Sequence, residues 1–293
     1  AKSGQWWIEN GQRALANISV AYTEKPETAQ FMEEWLALYN SKSGERGIFN
    51  RVAAVKKATE LGRRDPAPLA EHGGANPCGE IVLRSNQFCN LTEVVIRSED
   101  TLETLLEKVE MATILGTFQS TLTDFRYLRS SWKKNTEEER LLGVSLTGIM
   151  DHKVMSGQEG KEVLAKWLTE LRQKAIDTND KWSDTLGIEQ SVALTTIKPS
   201  GTVSQLVDAS SGIHPRYSKY YVRTVRNDIK DPLSQFLVEQ GVPNEPDVTK
   251  PASTLVFSFP VKSPENSLDA KSVSAIDMLE LYLTYNKFWA DHN

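Results

Sequence analysis

NPCGEIVLRSNQFCNLTEV, residues 76–94, holds both cysteines of a 293-residue chain, Cys78 and Cys89. The first stands two residues from Asn76 on one side and two from Glu80 on the other. Side chains two apart share a face wherever the backbone is extended, so an extended tip would gather an amide, a thiol and a carboxylate in one small site. Ten residues separate the thiols, enough for a strand to leave the loop and return or continue alongside it. Two thiols on neighbouring segments can act together as reductants. Spacing alone also leaves inert burial open, because free cysteine is among the most buried residue types. No further ligand stands at useful spacing from His72 and Cys78, and there is no CxxC, so no metal site is expected.

On either side of this stretch the chain alternates between strand-like and helix-like runs. Upstream, 13–24 mixes small and β-branched residues as a buried strand does. Pro26 ends that run, and a helix is expected through Lys42 with Phe31, Trp35, Leu36 and Leu38 on its apolar face. A second helix is expected over 51–61, and the breaker-rich RRDPAPLAEHGGANP, 63–77, reads as loop. Short strands are expected over 81–83 and 88–96, then a helix carrying Leu102, Leu105, Leu106, Val109, Met111, Ile114 and Leu115. LLGVSLTGIMD, 141–151, is apolar with two glycines and fits a close-packed strand or turn. A long helix closes near Gly187, and 191–208 reads strand, loop, helix start. Strands are expected over 222–227 and 253–262, and a last helix with Ile276, Leu279, Leu283 and Trp289 as its apolar positions. This alternation predicts an α/β architecture, with neither a linker nor an internal repeat.

Composition narrows the function. With 39% hydrophobic and 25% charged residues the chain can bury a sizeable core. A net charge of -5 lacks the basic excess of a protein that grips a nucleic-acid backbone, so no direct nucleic-acid partner is expected and any nucleotide ligand is a small molecule. No run is long and apolar enough to span a bilayer, and the first residues do not form a signal peptide, so a cytoplasmic protein without membrane contact is expected.

A second motif, KPSGTVS, covers 198–204. Gly201 permits a tight turn, and Ser200, Thr202 and Ser204 bring hydroxyls beside the free amides of a helix start. The physical description is a phosphate cradle without Walker spacing, and an ordinary capped helix start fits as well. Lys198 reads as a rim charge. SSGIHPRYSKYYVR, 210–223, reads as a structural loop packed with amphipathic side chains.

NPCGEI followed by FCNLTEV closely resembles the finger-loop motif of the ribonucleotide reductases, in which an Asn-x-Cys-x-Glu tip precedes a second active-site cysteine. RALANISVAYTEKP, ERLLGVSLTGIMD, IKPSGTVSQLVDASSGIHPRYSKYYVR and FWADHN are similar to the adenosylcobalamin-dependent, class II branch, notably its monomeric triphosphate-reducing type. The resemblance runs through nearly the whole chain, with several motifs in the expected order.

That resemblance implies a ten-stranded α/β barrel with a central finger loop, of which residues 1–293 would form part of a single catalytic domain truncated at both ends. It implies reduction of ribonucleotides, with triphosphates preferred over diphosphates, to 2'-deoxyribonucleotides, and adenosylcobalamin as cofactor. By carry-over, Cys78 is the thiyl radical that abstracts the 3'-hydrogen. Glu80 accepts the 3'-hydroxyl proton, and Asn76 orients the substrate hydroxyls or the glutamate. Cys89 reduces the 2' position and ends in a disulfide whose partner would lie on an earlier strand of a longer polypeptide. Ser200, Gly201, Thr202, Val203 and Ser204 hold substrate phosphates, and Asn17 and Ser19 line the barrel near the ribose. A thioredoxin-like dithiol reductant and a dNTP or ATP effector complete the implied partners. The alternatives are a class I-type diphosphate reductase large subunit and a nucleotide-binding chain without catalysis.

Overall fold

The computed structural model describes residues 5–15, 18–42 and 46–292. Helix α1 (Trp6–Glu9) leads into strand β1 (Ile18–Tyr22), which after α2 (Thr28–Ser41) pairs in parallel with β2 (Arg46–Asn50), Val20 opposite Ile48. Helix α3 (Arg51–Leu61) begins where the Asn50 side chain accepts the Ala53 N–H at 3.1 Å and ends where Gly62 turns left-handed at φ 71°. The stretch expected as loop is partly ordered: Pro66 and Pro68 suit the first turn of α4 (Ala67–His72), whose residue Leu69 is buried. Strand β3 (Gly74–Ala75) then pairs antiparallel with β4 (Val82–Leu83).

The main core forms next. Strand β5 (Asn90–Val95) is followed by α5 (Leu102–Gln119), α6 (Ser130–Glu139), β6 (Leu142–Thr147) and α7 (Lys161–Leu186). β5 and β6 run in parallel from Asn90 opposite Leu142 to Val95 opposite Thr147, with the crossover that parallel strands need supplied by α5 and α6. All six residues of β6 are buried, which is why its sequence shows an unbroken apolar-to-small run instead of alternation. The strand expected at the start of 191–208 is present only as extended chain beside β6: Thr195 bridges Val144 in parallel, and Leu142 and Val144 donate their N–H groups to the carbonyls of Ala193 and Leu194.

After α8 (Thr202–Leu206) come β7 (Tyr220–Asp228), α9 (Pro232–Glu239), β8 (Asn244–Pro246), β9 (Thr254–Lys262) and α10 (Ala275–Phe288). The three strands make a separate antiparallel sheet in the order β7-β9-β8. Helix α10 returns to the main core. Leu281 and Tyr285 are buried with Trp289 against Leu164, Leu168 and Leu171 of α7, and each such enclosed apolar side chain contributes about 1.5–3 kcal/mol. Of the four apolar positions expected to face the core, only Trp289 does so; Ile276, Leu279 and Leu283 are exposed. The helix is apolar on most sides, and two hydrogen bonds select the face: Tyr285 Oη donates to the Met155 carbonyl at 2.7 Å and Trp289 Nε1 to that of Thr196 at 2.9 Å. On α2, Trp35 and Leu36 are likewise exposed, so its apolar periodicity marks no buried face here.

The α/β class therefore holds. Among the described residues the strands form three two-stranded sheets and one three-stranded sheet, and they do not close into a barrel. No described helix is long and apolar enough to cross a membrane.

Candidate active site

The thiol motif is the tip of the β3–β4 hairpin. Asn76 donates its N–H to the Ile81 carbonyl at 3.1 Å, and its Oδ1 accepts the Ile81 N–H at 3.0 Å. The Gly79 N–H closes the turn onto the Asn76 carbonyl at 2.9 Å, with Gly79 at φ 85°, a conformation open to glycine at little cost. The tip is thus a turn and not an extended strand. The expected single face of Asn76, Cys78 and Glu80 does not form, and the three side chains divide their work. Cys78 is exposed, Glu80 is buried, and Asn76 clasps the turn.

Cys78 and Glu80 still meet at one cavity of about 800 Å³, walled by Ile197, Ile213, Met278 and Leu279. Lys198 joins them. Its Nζ lies 2.7 Å from Glu80 Oε1, while Glu80 Oε2 is buried without a partner. This corrects the reading of Lys198 as a rim charge. The Lys198 N–H donates to Ser145 Oγ at 2.8 Å, and the Glu80 carbonyl accepts Thr196 Oγ at 2.7 Å, so both ends of the ion pair are anchored to the core sheet. Partial burial works against the ammonium, but the hydrogen bond and charge of Glu80 outweigh it and hold the Lys198 pKa above its ordinary value.

Cys89, the residue before β5, packs beside the hairpin against Gly143 of β6. A Cβ on Gly143 would stand 2.5 Å from Leu91 Cδ2, 3.1 Å from Ile81 Cδ1 and 3.2 Å from Cys89 Sγ, so the missing side chain makes room for the thiol. Burial, and then the Glu80 carboxylate, push the Cys89 pKa far up, so it rests as a neutral thiol. Arg64 ties the two cysteine segments together. It donates to the Val82 carbonyl at 2.8 Å and to Gln87 Oε1 at 3.3 Å, and pairs with the buried Glu139 at 2.7 Å.

The 200–204 segment is placed less simply. Ser200 and Ser204 are buried and bonded inward: Ser200 Oγ donates to Glu93 Oε2 at 3.0 Å and accepts the Ser204 N–H at 3.1 Å. Gly201, Thr202 and Val203 face outward at the start of α8. Ser19 is exposed and Asn17 lies outside the described residues. Arg216 is buried between Asp151 and Asp208, at 2.9 and 2.7 Å, as a structural loop requires. Sequence reasoning missed Glu93 and Arg64. Glu93 was within reach, four residues after Cys89 in a period-two run; Arg64 gave no signal because its partners are distant in sequence.

No family model matches the chain. Curated relatives from several organisms carry the name adenosylcobalamin-dependent ribonucleoside-triphosphate reductase. That of Lacticaseibacillus paracasei is 31% identical across 98% of this chain and 40% of its own length. That of Euglena gracilis is 30% identical across 98% and 37%, and that of Lactobacillus acidophilus 30% across 85% and 37%. A crystal structure of a B12-dependent, class II ribonucleotide reductase superposes with a TM-score of 0.63 at 26% identity, over 75% of this chain and 34% of that one. The chain is a relative of the class II ribonucleotide reductases. It spans about two fifths of the length of the curated reductases it matches. Within this reductase-related chain, the hairpin tip, the Lys198 ion pair and Cys89 form one connected cluster.

Proposed function

We propose that the chain carries the substrate-reducing centre of an adenosylcobalamin-dependent ribonucleoside-triphosphate reductase. The observation that carries this reading is the pairing of an exposed thiol, Cys78, with a buried carboxylate, Glu80, whose Oε2 has no partner beside a common cavity. Hydroxide leaves an unactivated ribose carbon poorly and leaves readily once the neighbouring carbon is a radical, so the protein needs a hydrogen-abstracting sulfur and a base within one enclosure.

In this reading Cys78 Sγ abstracts the 3'-hydrogen. Glu80 takes up the 3'-hydroxyl proton at Oε2, the oxygen that Lys198 leaves free. Cys89, held as a neutral thiol, is suited to deliver a hydrogen to the 2' position. Asn76 acts through the hairpin, by fixing where Cys78 and Glu80 stand. The phosphates fall to Gly201, Thr202 and Val203, with Ser200 and Ser204 shaping the turn beneath them. The apolar wall of Ile197, Ile213, Met278 and Leu279 would hold the apolar part of the cofactor beside Cys78. When bound, adenosylcobalamin supplies the radical equivalent.

The names of the relatives favour triphosphates and cobalamin over a class I diphosphate reductase. A thioredoxin-like dithiol, a nucleotide effector and the ten-stranded barrel belong to the same proposal; the parallel pairs β1–β2 and β5–β6 would be pieces of the barrel's two halves. The test is deoxynucleotide formation from each ribonucleoside triphosphate with adenosylcobalamin and a dithiol, by this chain and by any longer polypeptide containing it. Cys78→Ser and Glu80→Gln are expected to abolish product while nucleotide binding persists. Product formed by Cys78→Ser would overturn the assignment, and nucleotide binding without any product from the unmodified polypeptide would favour the non-catalytic reading.

A further inference from the structure

One ionisable group in the cluster has no part in the chemistry above. Glu93 stands opposite Ser145 in the β5–β6 ladder, and Ser145 Oγ accepts the Lys198 N–H. The lysine is therefore pinned beside the ladder partner of Glu93 while its ammonium reaches Glu80 at 2.7 Å. Glu93 Oε2 accepts the Ser200 hydroxyl at 3.0 Å, and its Oε1 is buried without a partner. The site thus contains two carboxylates, each with one unpaired buried oxygen, and Lys198 interacts electrostatically with both.

Two carboxylates sharing a single cation in a poorly solvated place do not both ionise easily, because the second charge has neither water nor a counter-ion of its own. The least costly state holds one proton. The hydrogen bonds show where it resides: Glu80 has the direct ion pair, and Glu93 has only a neutral hydroxyl donor. Burial raises the Glu93 pKa, and the opposing pull of Ser200 and then Lys198 does not cancel it.

We propose that Glu93 is a positioning residue for Glu80: it stores the proton of the cluster, which reserves the Lys198 charge for Glu80 where substrate would meet it. This inference rests on the reading of Glu80 as the base. The charged group acting on Glu93 is Lys198, from the segment after Thr195, and Lys198 in turn faces Glu80 and Cys78 of the hairpin. Lys198 stays charged and Cys89 stays neutral throughout the neutral range, which leaves Glu93 as the group that takes up and releases the proton. When Glu93 loses its proton, the cluster gains a negative charge that competes for Lys198, the cation that also faces Cys78, and reaction at Cys78 slows.

The test uses this chain without nucleotide or cofactor, so it can fail while deoxynucleotide formation succeeds, and the reverse. Infrared titration of the wild type is expected to show a carboxylic-acid carbonyl band that persists above the ordinary glutamate range and is absent from Glu93→Gln. Alkylation of Cys78 by iodoacetamide, followed by mass spectrometry across pH, reads the coupling. Below the Glu93 titration the two proteins should react alike; above it Glu93→Gln should react about twofold faster, because a nearby negative charge has been removed. Glu93→Asp keeps a carboxylic acid, so its band should move and not vanish, and its Cys78 rate should return toward wild type. It also serves as the test should Glu93→Gln not fold. A wild-type band that is missing, a band unchanged in either variant, or identical Cys78 profiles would overturn the proposal.

Discussion

Lys198 Nζ lies 2.7 Å from Glu80 Oε1, and the other oxygen of that carboxylate is buried without a partner. The Glu80 side chain is 1% exposed and that of Lys198 is 29% exposed, so the desolvation of the pair falls mainly on the carboxylate. Removing the lysine should therefore cost more than neutralising the glutamate. Lys198→Met is expected to lose about 2–3 kcal/mol, below the ~3–5 kcal/mol of a fully buried pair because part of the lysine is already solvated. Glu80→Gln keeps the shape and a hydrogen-bond acceptor and should lose less. Urea unfolding at unchanged m-value measures both, and the opposite order would show that the pair does not anchor the hairpin.

The two thiols should differ sharply in reactivity. Cys78 is exposed on the turn, whereas Cys89 is half-buried, and its thiol is held neutral by desolvation and by Glu80. Because the thiolate is the nucleophile, a limiting amount of iodoacetamide near neutral pH should modify Cys78 first and Cys89 only after unfolding. Peptide mass spectrometry after a timed quench reads the two sites separately. Equal rates would place Cys89 in a wetter setting than the structure shows.

Asn76 provides a test of how the tip is built. Its Oδ1 accepts the Ile81 N–H at 3.0 Å, and Ile81 is fully buried. Asn76→Ala leaves that donor unsatisfied at a cost of about 1–3 kcal/mol, while Asn76→Asp retains an acceptor. The alanine variant should lose hydrogen-exchange protection at Ile81 and speed Cys78 labelling, and the aspartate variant should stay near wild type. Protection that survives in the alanine variant would mean that the backbone closes the turn unaided.

These residues also show how far the sequence could be read. Helix α3 was legible at both ends, because Asn50 caps it and Gly62 stops it with local chemistry alone. So was β5, within the strand expected over 88–96, and β6, expected as a close-packed strand or turn, is the strand, fully buried as its apolar composition suggests. The face of α10 was not legible: Ile276, Leu279 and Leu283 have the same periodicity as the residues that are buried, and the hydrogen bonds that choose between faces join positions more than 90 residues apart. The site divides in the same way. Cys78, Glu80 and Cys89 stand in one short motif, but Lys198 and Ser200 reach Glu80 and Glu93 over gaps of 118 and 107 residues. The turn at Gly79 depends on one positive φ, and it is this that separates Asn76, Cys78 and Glu80 in place of the expected common face.

Gly212 holds the Lys198 segment from behind. It adopts φ 54°, its N–H donates to Thr147 Oγ at 2.9 Å, and a Cβ there would lie 2.5 Å from the Lys198 carbonyl oxygen. The obstructing atom is backbone, so the strain cannot be relieved by turning a side chain. Gly212→Ala should cost about 1–3 kcal/mol and displace Lys198 from Glu80. The same alanine at Gly187, also at positive φ but with open space around it, separates backbone strain from the clash. A larger loss at Gly187 than at Gly212 would remove the close approach as the cause.

His292 makes stability depend on pH in a defined window. The ring is buried, its Nε2–H donates to the Leu142 carbonyl at 2.7 Å, and its Nδ1 has no partner. Burial first, and then the Arg64 charge, lower its pKa from 6.5 to about 4. Between those values the unfolded chain takes up a proton that the native ring refuses, so stability from this group is complete above about pH 6.5 and declines as pH falls toward about 4. The decline amounts to at most roughly 3 kcal/mol and levels off below the native pKa. His292→Gln keeps a donor for Leu142 and removes the titration. It should be less stable than wild type at neutral pH through lost packing, and the gap should narrow on acidification. Carboxylates common to both proteins cancel in that difference, measured from urea midpoints along a pH series. A gap that stays constant from neutral pH to about pH 4 would show that the native ring takes up its proton as readily as the unfolded chain.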